Sequence, residues 1–170
     1  MQAFQDLTRE QLLEVVQMFA KNWLAHDGCW FLAAEESGGL DRAMDLDRDA
    51  WQRFAAVEAR RIKEFAGLGD EGGLVALETA LGLRMYAALN RQHTEWNAER
   101  TVLRFSMDSC RVHTARERKG LPRFPCKAIG EVEFPTFAAT IDARIQTRCL
   151  RCPPDAAAGQ YCGWEFSLRG

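Results

Sequence analysis

An α+β fold is the expectation for this chain, with N-terminal helices packed on a small antiparallel sheet and a β-β-α-α-β-β unit at the C-terminal end. Three observations carry it. Apolar residues recur at helical spacing through residues 1–89, the apolar period drops to two at Thr101, and the later segments are punctuated by Cys, Gly or Pro. Helices followed by a run of short alternating segments describe an α+β arrangement better than an alternating parallel one.

The elements follow in order. Thr8 is a helix cap with Gln11 at the capping-box position, and Leu12, Val15, Val16, Phe19 and Trp23 form a stripe behind it that stops at Gly38 and Gly39. A second helix is expected from about Asp47, as its cap, to Phe65, with Trp51, Phe54, Ala55, Ile62 and Phe65 inward and Gly67 and Gly69 ending it. A third covers about Leu74 to Leu89, with Leu74, Leu77, Leu81 and Met85 on one face. Leu103, Phe105 and Met107 then alternate with Arg104, Ser106 and Asp108 as a strand, and the segment from Gln92 to Asn97 pairs with it through a turn at Ala98–Arg100. Cys110 to Lys119 reads as a helix ending at Gly120, and Cys126 to Asp142 as a second one that Pro135 kinks or restarts. Ile145, Thr147 and Cys149 mark a further strand, and Cys162, Trp164, Phe166 and Leu168 the last.

At 170 residues the chain has the length of a single domain, residues 1–170, divided into a helical part (1–89) and a cysteine-bearing α/β part (90–170). The net charge of −2 is unevenly spread: residues 1–100 carry 11 Lys/Arg against 17 Asp/Glu, and residues 101–170 carry 11 against 7. A basic surface beside thiols favours a small anionic ligand or stabilises thiolates. No basic segment followed by an apolar run opens the sequence, and charge interrupts every apolar stretch, so the expectation is a cytoplasmic protein with no membrane partner. The basic run Arg111–Lys119 lacks interleaved aromatics, which argues against nucleic acid. No phosphate-binding loop, dinucleotide fingerprint or serine-hydrolase elbow is present.

Five of the six cysteines, Cys110, Cys126, Cys149, Cys152 and Cys162, lie at junctions between these elements. Element ends converge at one edge of a small sheet, and in a reducing compartment clustered cysteines point to metal or catalysis rather than to disulfides. Thiolates of this set suit zinc or an iron–sulfur cluster, with Arg111, Arg123, Lys127, Arg148 and Arg151 offsetting their charge. Redox chemistry of Cys149 and Cys152, spaced Cys-x-x-Cys, is the competing reading. Cys29, between Gly28 and Trp30, is expected to be an apolar core thiol. The five tryptophans are assigned to the core. Glu58 lies close to the apolar stripe of the second helix and is a candidate catalytic carboxylate, and with His26, Asp27, Glu35 and Glu36 it supplies acid to a pocket between helices. His113 follows Cys110 by three residues and is a candidate base or fourth ligand.

Phe105–Cys110, Gly120–Cys126 and Tyr161–Phe166 carry a resemblance to the L-2-amino-thiazoline-4-carboxylic acid hydrolase-like proteins and, more distantly, to 4-vinyl reductase domains. Over nearly the whole chain, Asp27–Phe31, Glu35, Glu36, Trp51, Glu58–Arg61, Arg148, Cys149 and Cys152–Asp155 resemble a bacterial family of unknown function. The hydrolase resemblance implies ring opening of a cyclic amidine-like substrate, with Cys110, Cys126 and Cys162 the positions carried over; Cys149 and Cys152 are additions. The expectations are therefore a zinc or iron–sulfur site drawn from Cys110, Cys126, Cys149, Cys152 and Cys162 beside a small-ligand pocket with Arg111 and Arg148, or a C–N hydrolase with Cys110 or Cys126 as nucleophile and Glu58 as a catalytic carboxylate, or with metal-activated water, or a binding module with structural thiols. A homo-oligomer is compatible with all three.

Overall fold

The computed structural model describes residues 4–157 and 159–169. After a 3-10 turn at Phe4–Asp6, helix α1 runs over Arg9–Ala66. Its start is the expected capping box: the Gln11 N–H donates to Thr8 Oγ1 at 3.2 Å and the Thr8 N–H to Gln11 Oε1 at 2.9 Å. Gly39, at φ 78° and ψ 169°, divides α1 into two arms. That backbone conformation is essentially reserved for glycine.

The helix does not wait for Asp47 to restart. Leu40, Arg42, Ala43 and Met44 are good helix formers, so the second arm begins directly after Gly39 and Asp47 is mid-helix. The first arm also departs from expectation. Leu12, Val16, Phe19 and Trp30 are exposed, and Ala20 is the one residue of that stretch that is buried. Phe65, expected inward, is exposed too. The second arm does the packing: Trp51, Ala55, Ala59 and Ile62 face the core, and small residues at 55 and 59 admit a neighbouring helix closely. Gly67, at φ 63°, ends α1, with the Leu68 N–H donating back to the Lys63 carbonyl at 2.9 Å.

Helix α2 (Gly73–Leu83) is followed by a 3-10 turn at Met85–Ala88. Strands β1 (Gln92–Trp96) and β2 (Val102–Met107) form the expected hairpin, closed by Asn97 Oδ1 accepting from the Thr101 and Val102 N–H groups at 2.8 Å each. Helices α3 (Arg111–Arg118) and α4 (Lys127–Ile141) come next, then β3 (Ile145–Arg151) and β4 (Gly163–Leu168). The sheet order is β1-β2-β4-β3 with every pair antiparallel, so the last strand inserts between the second and third. The fold is α+β, with the helices on the face of the sheet that presents Leu103, Phe105, Trp164 and Phe166. Among the described residues no helix is long and apolar enough to cross a membrane.

Pro135 does not restart α4, which runs through it as one helix. The lost backbone donor is outweighed by the apolar groups that flank it, since Phe134, Phe137, Ala138 and Ile141 are all buried. Phe134 stacks on Trp164 at 4.7 Å between centroids, and Gly130 one turn earlier lets the helix lie on the indole. A Cβ at Gly130 would stand 2.5 Å from Trp164 Cζ2. Gly130→Ala is therefore expected to lose about 1–3 kcal/mol through overpacking. The urea midpoint should fall with an unchanged slope; a midpoint equal to that of the parent chain would refute the contact.

Candidate functional site

Between the two arms of α1, helices α3 and α4 and the helix-covered face of the sheet lies a cavity of about 450 Å³. Its walls are mostly apolar, with Trp51, Phe124, Ile129 and Phe134 among them, and four thiols of the C-terminal half reach it: Cys110, Cys126, Cys152 and Cys162. Cys110 stands at the N-terminal end of α3 and Cys126 at that of α4. Cys152 follows β3 in a turn closed by the Asp155 N–H donating to its carbonyl at 2.8 Å, and Cys162 immediately precedes β4, its carbonyl accepting from the Met107 N–H at 3.0 Å. The Lys127 N–H donates to the Pro153 carbonyl at 2.9 Å, which ties the start of α4 to the turn that holds Cys152.

Cys126 is the centre of the cluster. Its Sγ lies 3.6 Å from Cys152 Sγ and 3.7 Å from His113 Nε2. A hydrogen bond from the Cys152 thiol, helped by His113, holds the Cys126 thiol well below the ordinary thiol range against the cost of burial. The same contact works the other way on Cys152, which with Cys162 beside it and burial around it stays protonated as the donor. Burial pushes Cys110 up to about 11, so it too is a neutral thiol. The helix N-terminus at Cys126 favours negative charge there. His113 is buried, with its ring 5.6 Å from that of Tyr161, and its Nδ1 has no protein partner.

The expected five-cysteine set does not close as a unit. Cys149 remains within β3, opposite Trp164 of β4, and lines a second cavity with Lys127 and Glu131. A Cys-x-x-Cys pair meets at one point only when a turn lies between the two sulfurs; here Arg151 is still paired with Gly163, and Cys152 leaves the strand after an irregularity between Cys149 and Arg151. The partner of Cys152 is thus Cys126. Among the described residues no group of three or more His, Cys, Asp or Glu side chains forms a metal-holding set. Cys29 is exposed at the cavity rather than buried in the core.

Glu58 is buried, but as the partner of a cation. Arg84 donates to Glu58 at 2.9 Å and to Glu133 at 2.6 Å, and the Met85 N–H also reaches Glu58 at 3.4 Å. Arg84 and Glu133 line the cavity; Glu58 stands behind them. Arg111 lines the cavity as an exposed residue, whereas Arg148 pairs with Glu165 away from it, so the structure does not bring these two arginines together. Glu35 holds Arg116 in a two-pronged ion pair at 2.9 and 3.2 Å, and Asp27 reaches the cavity directly.

Sequence reasoning placed His113 beside Cys110; the structure gives it to Cys126. It passed over Arg84, Glu133, Asp47 and Tyr86. The available signal was local: Arg84 and Glu133 are charges set between apolar neighbours, Leu83 and Met85 in one case, Val132 and Phe134 in the other.

Residues 5–168 match the model of a protein family, DUF6125, described as a family of unknown function. No curated protein and no solved structure matches the chain.

Proposed function

From the chain's membership of this family of unknown function, which leaves the chemistry to be argued from the site, we propose a cysteine-dependent enzyme acting on a small, largely apolar molecule, with Cys126 as nucleophile. The observation that carries it is the position of Cys126 Sγ on the cavity wall, at a helix N-terminus, with Cys152 Sγ at 3.6 Å and His113 Nε2 at 3.7 Å. A thiolate with an imidazole in reach and a second thiol as donor is the arrangement nucleophilic catalysis uses.

The reaction class that fits is hydrolysis at a carbon bonded to nitrogen, which the C-terminal resemblance to the thiazoline hydrolase-like proteins also favours. The Cys126 thiolate forms a bond to that carbon while its π electrons move to the attached heteroatom. On collapse the carbon–nitrogen bond breaks, and the nitrogen leaves with a proton passed by His113. Water then displaces the thiolate, giving its proton back through His113, so one water is consumed per bond cleaved.

Substoichiometric iodoacetamide at pH 7 tests the nucleophile. Peptide mapping should find the label on Cys126 first, and Cys126→Ser should remove the fast phase. Labelling that begins on exposed Cys29 with Cys126 no faster would overturn the assignment.

Although the described residues do not stand as a closed ligand set, two separations favour a second reading, zinc or an iron–sulfur cluster that would draw Cys162 and His113 or Cys110 in around Cys126 and Cys152. The 3.6 and 3.7 Å separations are close to the roughly 3.7 Å edge of a tetrahedron with bonds of about 2.3 Å. Metal and sulfide analysis of anaerobically purified protein separates the two: a stoichiometric metal would bind the thiolate that the nucleophile reading needs free.

A further inference from the structure

The cavity that Cys126 lines also carries two carboxylates from the two arms of α1. Asp27 on the first arm of α1 and Asp47 on the second both line it, either side of the joint at Gly39. Both are partly buried, and neither is in an ion pair among the described residues. The cavity wall has two buried cations, and both are already paired, Arg84 with Glu58 and Glu133 and Arg116 with Glu35. His26, beside Asp27, is exposed, and so are the other cations lining the cavity, Lys21, Arg111 and Lys119, which stand in solvent.

The groups acting on Asp47 show the surplus of negative charge. Burial, then Asp27, Glu133 and Cys126, raise its carboxyl to about 7, while a hydrogen bond from Trp51 opposes them. Burial likewise raises Asp27, with His26 opposing. The rings of Trp51 and Tyr86 stack at 5.6 Å with 19° between their planes, and both face the cavity. The Arg84 guanidinium lies 6.0 and 5.9 Å from the centres of these two rings, and aromatic rings beside carboxylates that have no ion-pair partner suit a further cation in an apolar cavity. Two buried residues that line the cavity, His113 and Trp164, each carry a ring nitrogen without a protein partner, Nδ1 and Nε1.

We propose that the ligand of this cavity is a small organic ammonium ion, its charge held between Asp27 and Asp47 beside Trp51 and Tyr86 and its apolar body directed towards Cys126. The inference deepens the proposed function by naming the substrate class, and it rests on that reading only for the end of the ligand that reacts. An anion, expected from the basic half of the sequence, meets exposed cations at the surface but carboxylates inside.

Calorimetry at pH 8 tests it with the intact chain and four probes: benzylammonium, benzyltrimethylammonium, benzyl alcohol and benzoate. At least one of the two cations should bind saturably and about tenfold or more tighter than the alcohol and benzoate, the discrimination expected of a charge-assisted contact. Asp47→Asn and Asp27→Asn should each erase most of that preference, with circular dichroism confirming that each variant folds. Equal or tighter binding of the alcohol or benzoate, no saturable binding of either cation, or an unchanged preference in both variants would overturn the proposal. Fast alkylation of Cys126 is read separately: fast labelling without cation binding sinks this inference alone, and cation binding without fast labelling sinks the nucleophile alone.

Discussion

Arg84→Met should unfold with about 3–5 kcal/mol less stability than the parent chain, the range for removing one partner of a buried ion pair. Arg84 is 4% exposed, Glu58 9% and Glu133 10%, so nothing solvates the two carboxylates once the guanidinium is gone. The Arg84 guanidinium also lies 4.6 Å from the centre of the Phe137 ring and 5.4 Å from that of Phe134, contacts a thioether only partly replaces. The loss should depend on pH in a defined direction. Burial already raises Glu133 above its ordinary value while Arg84 pulls it down, and without Arg84 the carboxyl rises further. The folded variant then binds more protons than its unfolded chain, so its stability falls as pH rises through the raised value and recovers on acidification. Urea titrations at pH 5 and pH 8 should show the gap between parent and variant widening at pH 8. Adding Glu133→Gln to Arg84→Met should restore part of it. A gap under 1 kcal/mol, or one independent of pH, would show that the triad is not what holds α1, α4 and the turn after α2 together.

The second large effect is on the reactivity of Cys126. Below its titration point near 8.5, an ordinary thiol alkylates about tenfold faster for each unit by which the pH rises. Cys126, held low first by the Cys152 thiol and then by His113, should alkylate at a rate nearly flat from pH 7 to pH 9. Cys152→Ala removes the leading hydrogen-bond donor and should move the profile up by roughly one unit or more. Cys152→Ser keeps an O–H in that place and should restore most of the depression, which separates loss of the donor from damage to the turn. His113→Gln should shift the profile upward by less than Cys152→Ala does. A parent profile that climbs tenfold per unit between pH 7 and 8 would mean that the 3.6 Å contact does not set the titration.

Much of the architecture was legible because its signals are local. Thr8 with Gln11, Gly67, the hairpin at Asn97–Thr101 and the alternation of Leu103, Phe105 and Met107 each act within a few residues, and all stand as expected. The failures have a common cause in context. Leu12, Val16 and Phe19 have helical spacing, but spacing cannot say whether another element lies opposite, and all three are exposed. Asp47 has the chemistry of a cap, yet the helix begins earlier because Gly39 alone supplies the break. For the site, four of the five thiols singled out in the sequence line one cavity, and Cys149, the sequence neighbour of Cys152, does not. Cys149 and Cys152 are neighbours in sequence, whereas Cys126 and Cys152 meet through the packing of α4 on the turn after β3, which no spacing rule encodes.

The insertion of β4 between β2 and β3 has a bearing on the chain's life before it is complete. His113 and Cys126 come from the excursion between β2 and β3, Cys152 from the link between β3 and β4, and these segments meet only around a sheet whose central place is taken by the last strand made. Before β4 takes its place, the segments that bring His113, Cys126 and Cys152 together have no completed sheet to meet around.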